Sequence, residues 1–278
     1  MRPHPPSPAT RARGFTLIEL LITISIITTL SLIGFSGARR MLQSARIVQS
    51  TTNLRQLAIA NCNYLSDNGT YSPADNQYNN RRWHGARSSS SSAFDPTEGF
   101  LSPYLGESEQ VTACPLFENI VGGTQSFEDG TGGYGYNAQY IGGRPGGGYD
   151  RTTKLRIPAL QAQIPDPGNT VMFTTTAYAR TDGLQEYAYC EPPYWDYGNG
   201  YLTSRPSPSV HFRANGKALV AWCDGSVTAE LPNNSTGTIN PHGGNSGDYP
   251  LGWFGPEDNN GYWNPNYRTT VHTDEELN

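Results

Sequence analysis

Charged side chains are scarce in this sequence. Asp, Glu, Lys and Arg make up 15% of the 278 residues, and the formal net charge is -5. No block of Lys and Arg occurs in the body of the chain. A protein that binds a polyanion needs such a block, because Lys and Arg supply most of the attraction to phosphates. The sequence therefore predicts no nucleic-acid partner.

Helical periodicity is missing from residues 70 to 278. A parallel α/β enzyme core needs repeated helical crossovers between its strands, so this absence argues against such a core. What is abundant instead is Gly, at 31 residues, and Tyr, at 17. Glycine suits tight turns, and aromatic rings supply core volume. The composition favours a loop-rich β domain.

Zinc-type cysteine motifs are absent, because no CxxC pair and no Cys/His cluster is present. The four cysteines are widely spaced, at Cys62, Cys114, Cys190 and Cys223. In an oxidising compartment, four cysteines permit two disulfides in any of three pairings. Four free, buried thiols are the alternative interpretation.

The N-terminus carries a basic leader followed by an apolar run. Residues 1–14 contain Arg but no acid, and residues 15–35 are almost wholly apolar. As a helix this run is about 31 Å long, which matches the hydrocarbon thickness of a bilayer. No A-x-A-like site follows the run, so we expect the segment to be retained rather than removed as a secretory signal. The basic leader predicts a cytoplasmic start.

Glu19 interrupts the apolar run, and an ionisable side chain at the centre of a bilayer costs about 2.5 to 3.5 kcal/mol. If a peptidase cut between Gly14 and Phe15, the new α-amino group would be a cation. The amino group of one subunit could then pair with Glu19 of the next. The alternative is a plain single-pass anchor, in which Glu19 snorkels to the interface.

The segment GFTLIELLITISII, after its basic leader, resembles the type IV prepilin motif. The resemblance implies cleavage after Gly14 by a prepilin peptidase, N-methylation of Phe15, and use of Glu19 in assembly with other pilin or pseudopilin subunits. It also implies a single pass through the inner membrane with an exported domain in the periplasm. After assembly, the chain would belong to a cell-surface or extracellular filament.

Beyond residue 35 the helix is expected to continue to about Ser66, since Asn68-Gly69 is a C-terminal stop signal. Residues 36–68 are amphipathic, and Ser50 and Asn53 are among the polar residues outside the apolar stripe. The stripe recurs at spacings of three and four and should pack on the exported domain; its members are Ile47, Thr51, Leu54, Ala58, Cys62 and Leu65. The stretch NLRQLAIANCNYLSDNGTYSP also resembles pseudopilins.

Residues 69–278 are expected to form the exported, β-rich domain. Polar residues 70–108 predict a surface loop. Val171–Thr175 predicts a strand. The segments SVHFR, KALVAWC and SVTAEL, separated by the turns Asn215-Gly216 and Asp224-Gly225, predict a three-stranded antiparallel meander. The expected fold is α+β and pilin-like, with a long N-terminal helix packed on an antiparallel sheet.

The exported domain also resembles prepilin-type proteins with a C-terminal motif of His, nine residues and Asp-Gly. The matching elements are Cys114-Pro115, the Tyr-Gly-Tyr-Asn stretch at residues 134–137, and Asp224-Gly225. Twelve residues separate His211 from Asp224, which departs from the family spacing. No role is therefore carried over to His211.

The sequence offers two possible catalytic features, a glycine-rich stretch and a His/Asp pair, and simpler interpretations explain both. Gly132, Gly133 and Gly135 have no preceding strand and no following Lys-Ser/Thr, so they do not form a phosphate loop. His211 and Asp224 could be an acid/base pair of a secreted hydrolase, but no recognisable Ser or Cys nucleophile accompanies them. Turn chemistry explains Asp224 more simply. We predict that the protein is not an enzyme.

Two further features keep alternatives open. Asp258 and Asn260 offer oxygen ligands for calcium, although the loop lacks the ligand spacing of a calcium hand, and a plain Asn-Gly turn explains it more simply. No other cofactor is expected. The late aromatics could form a stacking surface for sugars or partner subunits, or could fill the core; they are Tyr194, Trp195, Tyr197, Trp253, Phe254, Tyr262 and Trp263.

The predicted function is that of a structural subunit, a pilin or pseudopilin that assembles into a type IV pilus-like or type II secretion filament. The alternative is a membrane-anchored, cell-surface binding module for glycan or envelope components, in which the helix serves only as an anchor.

Overall fold

The computed structural model describes residues 15–106, 113–117, 128–199, 202–205, 207–235, 243–257 and 259–266. The predicted leader, including Gly14, lies outside these residues. The chain divides into two compact units, Met1–Ala45 and Arg46–Asn278.

A single helix, α1 (Leu17–Asn68), runs through both units. It contains a stretch long and apolar enough to cross a membrane. Within the first unit its apolar side chains are exposed, from Phe15 to Phe35, as expected for a helix that is apolar all round. The helix ends at Gly69, whose φ of 75° is a left-handed conformation that favours glycine. The predicted long helix and its stop signal are confirmed.

The second half of α1 buries one face in the core of the second unit. Leu54, Leu57 and Ala58 on this face are fully buried. Ser50 and Asn53 are buried as well, so their predicted place outside the packed stripe is wrong. Both make hydrogen bonds to other segments: Asn53 donates to the Ala113 carbonyl at 3.1 Å, and Ser50 lies 3.0 Å from the Tyr134 hydroxyl. These bonds compensate the loss of water around the two polar side chains.

The strands of the second unit are short, and every pairing between them is antiparallel. In chain order they are β1 (Arg81–Arg82), β2 (Gly85–Ala86), β3 (Tyr134–Tyr136), β4 (Val171–Thr175), β5 (Tyr178–Arg180), β6 (Gly183–Gln185), β7 (Tyr194–Asp196), β8 (Leu202–Ser204), β9 (Val210–His211), β10 (Ala218–Trp222), β11 (Val227–Glu230) and β12 (Leu251–Gly252). A short helix, α2 (Ser102–Leu105), follows β2. The predicted α+β class is confirmed.

The central sheet has the strand order β11-β10-β4-β3 and is covered on both faces. Alternate residues of β10 join two different clusters. Leu219 and Ala221 join the cluster that includes Leu57 of α1, whereas Val220 and Trp222 join an aromatic cluster. Since successive side chains of a strand point to opposite faces, the sheet lies between these clusters. This double burial explains the continuous apolar run of β10.

The predicted meander is half right. The hairpin of β10 and β11 around Asp224-Gly225 is present, and Val171–Thr175 is a strand with the predicted bounds. The first strand is present as β9, but its predicted pairing is wrong, because β9 pairs with β12 instead of β10. Both edges of β10 are taken, by β11 and β4. The turn at Asn215-Gly216 closes only the bridge between Ala214 and Lys217.

Residues 70–108 are not simply the predicted surface loop. Trp83 is fully buried, and its indole N–H donates to the Ala188 carbonyl at 2.8 Å. Phe100 and Leu101 are buried too. The segment is polar in composition, but these three large apolar side chains enter the core. The serine run from Ser88 to Ser92 remains mostly exposed.

We expect Leu57→Ala to lower the free energy of unfolding of the second unit by about 2 to 5 kcal/mol, because it removes a fully buried side chain. The matched control is Ile59→Ala, on the same helix, since 49% of Ile59 is exposed. That change should cost about 0.5 kcal/mol or less. Urea unfolding of the full chain in detergent measures both, and equal losses would contradict the helix orientation.

Candidate functional site

The start of α1 is closed by a reciprocal cap between Thr16 and Glu19. The Thr16 backbone N–H and hydroxyl each donate to Glu19 Oε2 at 2.8 Å, and the Glu19 N–H donates to Thr16 Oγ1 at 3.3 Å. This is a capping box, in which two side chains satisfy backbone groups at the helix N-terminus. The spacing Thr-x-x-Glu is the sequence signature of a capping box, and it was not among the features predicted above.

Several Ser and Thr hydroxyl groups of the apolar run donate hydrogen bonds to backbone carbonyls of the same helix. Thr23 donates to the Leu20 carbonyl and Ser25 to the Leu21 carbonyl, both at 2.8 Å. Thr28 follows the same pattern with the Ile24 carbonyl at 2.9 Å. Such bonds let Ser and Thr occupy an apolar environment without another partner. Glu19 is the one ionisable side chain of residues 15–35.

Glu19 has no cation within reach in the described part of the first unit. The nearest described basic residues along α1 are Arg39 and Arg40, and Arg39 stacks on the Phe35 ring at 4.2 Å. Twenty residues of helix separate Glu19 from Arg39, which is about 30 Å. The neutral donors of Thr16 satisfy hydrogen bonds but do not neutralise the charge. A counter-charge must therefore come from a group at the N-terminus or from another molecule.

A family model described as the prokaryotic N-terminal methylation motif matches residues 9–35. No curated protein and no solved structure matches the chain. The match covers the end of the basic leader, the Gly14–Phe15 junction, Glu19 and the apolar run. The chain therefore carries the prepilin N-terminal methylation motif, the signature of a type IV pilin-like or pseudopilin-like precursor, on a helix suited to membrane anchoring.

The remaining sequence candidates lie elsewhere, and His211 and Asp224 do not come together. The backbone carbonyl of His211 accepts a hydrogen bond from the hydroxyl of Thr175, at the end of β4. Cys223, which precedes Asp224, donates its backbone N–H to the carbonyl of Thr170, just before β4 begins. Five residues of strand separate these points, roughly 16 Å. Asp224 Oδ1 accepts from the Ser226 N–H at 2.8 Å, which is turn chemistry.

His211 itself is buried beside a cation. Its Nδ1 lies 3.0 Å from Arg213 Nη1. Burial, and then the charge of Arg213, lower the pKa of His211 to about 2. A neutral imidazole held this far from its ordinary pKa is a poor proton acceptor near neutral pH. The acid/base pairing of His211 with Asp224 therefore has no geometric support.

The glycine-rich stretch near Gly132 already holds an anion of the chain itself. Glu186 Oε2 accepts the backbone N–H groups of Gly130, Thr131 and Gly132 at 2.8, 2.7 and 2.9 Å. Successive N–H groups that converge in this way form an anion-binding concavity. Because the Glu186 carboxylate fills it, the stretch is a structural tie and not a phosphate loop.

All four cysteines have free thiols, with Cys114, Cys190 and Cys223 buried and Cys62 half-buried. Cys62 Sγ lies 4.0 Å from the Cys223 carbonyl oxygen, which makes these two residues neighbours. Cys114 instead contacts the Ser50 hydroxyl at 3.1 Å. The two disulfides stay a prediction.

Of the two residues predicted as weak calcium ligands, the structure describes only Asn260. Asp258 lies outside the described residues. Asn260 is buried, its Oδ1 accepts from the Tyr194 N–H at 3.0 Å, and its amide donates to the Tyr140 hydroxyl at 2.7 Å. The Asn260 side chain thus fastens β7 to the C-terminal segment. Within the described ranges, no group of three or more His, Cys, Asp and Glu side chains could hold a metal ion.

Six of the seven late aromatics divide into two groups, and the seventh, Tyr194, is half-buried. Trp253, Phe254 and Trp263 are buried, and with Tyr262 they belong to the aromatic cluster of the core. Trp195 and Tyr197 differ, because 41% and 56% of their surfaces are exposed. Core packing therefore explains the first group, and the exposed pair is left for a surface role.

Asp129 lies in an acidic neighbourhood that makes stability depend on pH. Burial, and then the charges of Glu186 and Glu128, raise the pKa of Asp129 to about 6. A raised carboxyl pKa means that ionisation opposes folding, so this penalty appears as the pH rises from about 4 through about 6. We expect Asp129→Asn to stabilise the protein above about pH 7 and to have little effect near pH 4.

Chemical denaturation of the full chain at the two pH values measures this difference. Asp150→Asn is the control of opposite sign, because hydrogen bonds from Thr153, then Thr152, hold the pKa of Asp150 below its ordinary value. That variant should lose stability at the higher pH. If Asp129→Asn changed stability equally at both pH values, the pKa of the Asp129 carboxyl would not be raised in the folded protein.

Proposed function

We propose that this chain is a structural pilin or pseudopilin. A prepilin peptidase removes residues 1–14 by cutting between Gly14 and Phe15, and the new N-terminus of Phe15 is methylated. Residues 15–35 anchor the chain in the inner membrane and then form the filament core. Residues 36–68 join that core to the domain at residues 69–278, which is exported to the periplasm and displayed on the assembled filament.

The observation that carries this proposal is the uncompensated carboxylate of Glu19 inside a matched methylation motif. Burial of that charge alone is costly. Cleavage before Phe15 creates an α-amino group with an ordinary pKa near 8, so it is largely cationic at about pH 7. Methylation of an amine keeps its charge. The processed chain thus brings one cation and one anion that lie about 6 Å apart along the helix.

Pairing between subunits follows from that spacing. If Phe15 of one chain pairs with Glu19 of the next, the two contact surfaces differ, so the contact is heterologous. A heterologous contact that does not close into a ring extends as an open helical filament. The product is a type IV pilus-like or type II secretion filament, with other pilin or pseudopilin subunits as partners.

The second candidate, an anchored cell-surface binding module, shares the membrane helix but does not need the charge of Glu19 for assembly. Exposed ring surface at Trp195 and Tyr197 favours some binding role. The two candidates differ in whether the chain enters a filament, and a binding role and a filament role are compatible in one protein.

Two substitutions separate the charge of Glu19 from its capping function. Glu19→Gln keeps a side chain that suits the third position of a capping box but removes the charge. We expect it to abolish recovery of the chain in sheared filaments while the chain still inserts in the membrane. Thr16→Ala removes the cap and leaves the charge. It should cost the helix about 0.5 to 2 kcal/mol and leave assembly largely intact.

Quantitative immunoblots of sheared and membrane fractions measure both outcomes. Normal filament recovery of Glu19→Gln would sink the ion-pair proposal and leave the anchored binding module. Loss of assembly in Thr16→Ala but not in Glu19→Gln would show that Glu19 acts through the helix cap alone.

A further inference from the structure

A cleft of about 310 Å³ opens beside the hairpin of β7 and β8. Its volume is at the lower end of the range of small-molecule sites, roughly 300 to 1,000 Å³. The turn from Arg144 to Gly147 forms one side, and the rings of Trp195 and Tyr197 form another. The cleft lies wholly within the second unit, and its aromatic side is the exposed pair that core packing does not use, Trp195 and Tyr197.

Two arginines that line the cleft, Arg156 and Arg205, each form an ion pair with a carboxylate. Arg156 makes two parallel hydrogen bonds to Asp75, at 2.8 and 2.9 Å. Arg205 Nη1 lies 2.9 Å from Glu191 Oε2, and Arg205 Nη2 donates to Gln139 Oε1 at 2.6 Å. The opposite charges cancel within each pair, so the paired groups give the cleft no strong potential of either sign. Each pair places a planar hydrogen-bond donor, the guanidinium, next to a planar acceptor, the carboxylate.

Two further charges also balance. Asp196 accepts hydrogen bonds from the Tyr140 hydroxyl at 2.8 Å and from the Gly198 N–H at 2.9 Å, so only neutral donors hold it. Arg144 is exposed and has no acidic partner among the described residues. One unpaired cation and one unpaired anion therefore face the same cleft. A ligand with a large net charge gains little from such a site.

The exposed ring of Trp195 is held in place rather than loose. The Arg205 guanidinium lies 3.5 Å from the centroid of the Trp195 ring, a stacked cation–π contact. The Arg205 side chain is only 4% exposed, and its buried Nε has no hydrogen-bond acceptor among the described residues. A buried donor without an acceptor is uncommon and costly. The cleft thus combines a fixed aromatic surface with an unsatisfied donor in its wall.

We propose that this cleft binds a neutral pyranose unit of a polysaccharide. A pyranose ring has an apolar C–H surface, which packs on aromatic rings such as Trp195 and Tyr197. Its hydroxyl groups both donate and accept hydrogen bonds, which matches paired Arg and carboxylate groups. An apolar ligand would leave these polar groups without water or partner. The balance of charge disfavours nucleotides and polyanions.

This binding role is separate from assembly, so either can fail without the other. The test therefore uses the full chain as separate subunits in a polyoxyethylene detergent, whose head group contains no sugar. Of the five tryptophans, only Trp195 is more than 5% exposed. Quenching of tryptophan fluorescence by acrylamide, a neutral quencher, consequently reports mainly on Trp195.

The probes are cellotetraose, mannotetraose, galactotetraose and chitotetraose, with glycerol as an acyclic control. We expect at least one tetraose to bind saturably and to shield Trp195 from acrylamide, and glycerol to do neither. Trp195→Ala should weaken that binding at least tenfold in calorimetry. Tyr78→Ala is the matched control, because it removes an exposed ring, 66% accessible, that does not line the cleft; it should leave the affinity unchanged.

The proposal is overturned if none of the four sugars binds, or if Trp195→Ala binds as well as the parent chain. Trigalacturonate, which has pyranose rings and carboxylates, tests whether the cleft recognises the negative charge of a sugar or its ring. Tighter, salt-sensitive binding of this acidic sugar, lost in Arg144→Gln but not in the exposed control Arg151→Gln, would overturn the assignment of a neutral ligand.

Discussion

A carboxylate near the start of an apolar helix, with no described cation within about 30 Å along that helix, is the constraint on which the proposed assembly depends. Glu19 is satisfied as a hydrogen-bond acceptor by Thr16, but its charge is not neutralised. The hydroxyl groups of Thr23, Ser25 and Thr28 donate to backbone carbonyls of the same helix, which suits them to an apolar medium. In the proposed assembly, a cation created at Phe15 by processing neutralises Glu19 of a neighbouring subunit. The methylation motif that matches residues 9–35 includes both positions.

The same helix changes character in its second half, where polar side chains become structural ties. Ser50 links α1 to Cys114 and Tyr134, and Asn61 accepts a hydrogen bond from the Ser72 N–H at 2.9 Å. The bonds of Ser50 join the helix to segments far away in sequence, and that of Asn61 joins it to the chain just beyond its end. A buried donor or acceptor that lost its partner would cost about 1 to 3 kcal/mol, so these ties fix the placement of the helix within the second unit.

The residues that resemble the C-terminal prepilin-associated motif also serve packing. Asn137 donates to the carbonyls of Val171 and Trp263, at 2.9 and 3.0 Å, and so joins β4 to the C-terminal segment. The Tyr136 hydroxyl donates to the Ser72 carbonyl at 3.0 Å. These contacts show that the Tyr-Gly-Tyr-Asn stretch holds separate segments of the domain together. They also fit the absence of any catalytic geometry around His211 and Asp224.

Local signals in the sequence predicted some elements well. Hydrophobic length and Asn68-Gly69 determine the helix, and Asp224-Gly225 determines a hairpin, because these features depend on residues close in the chain. The pairing of β9 with β12 and the burial of Ser50 depend on partners distant in sequence, which no local pattern reveals. The cleft beside Trp195 was hidden for the same reason. Its composition was visible as a group of aromatics, but only the fold separates the exposed rings from the buried ones.

The most direct measurement is the mass and N-terminal sequence of the mature chain, purified from the native membrane and from sheared surface material. The proposed processing predicts a chain that begins at Phe15 and carries one extra methyl group on its α-amino nitrogen. A chain that retains Met1 in both fractions would contradict it, because no amino group would then exist at Phe15 to neutralise Glu19.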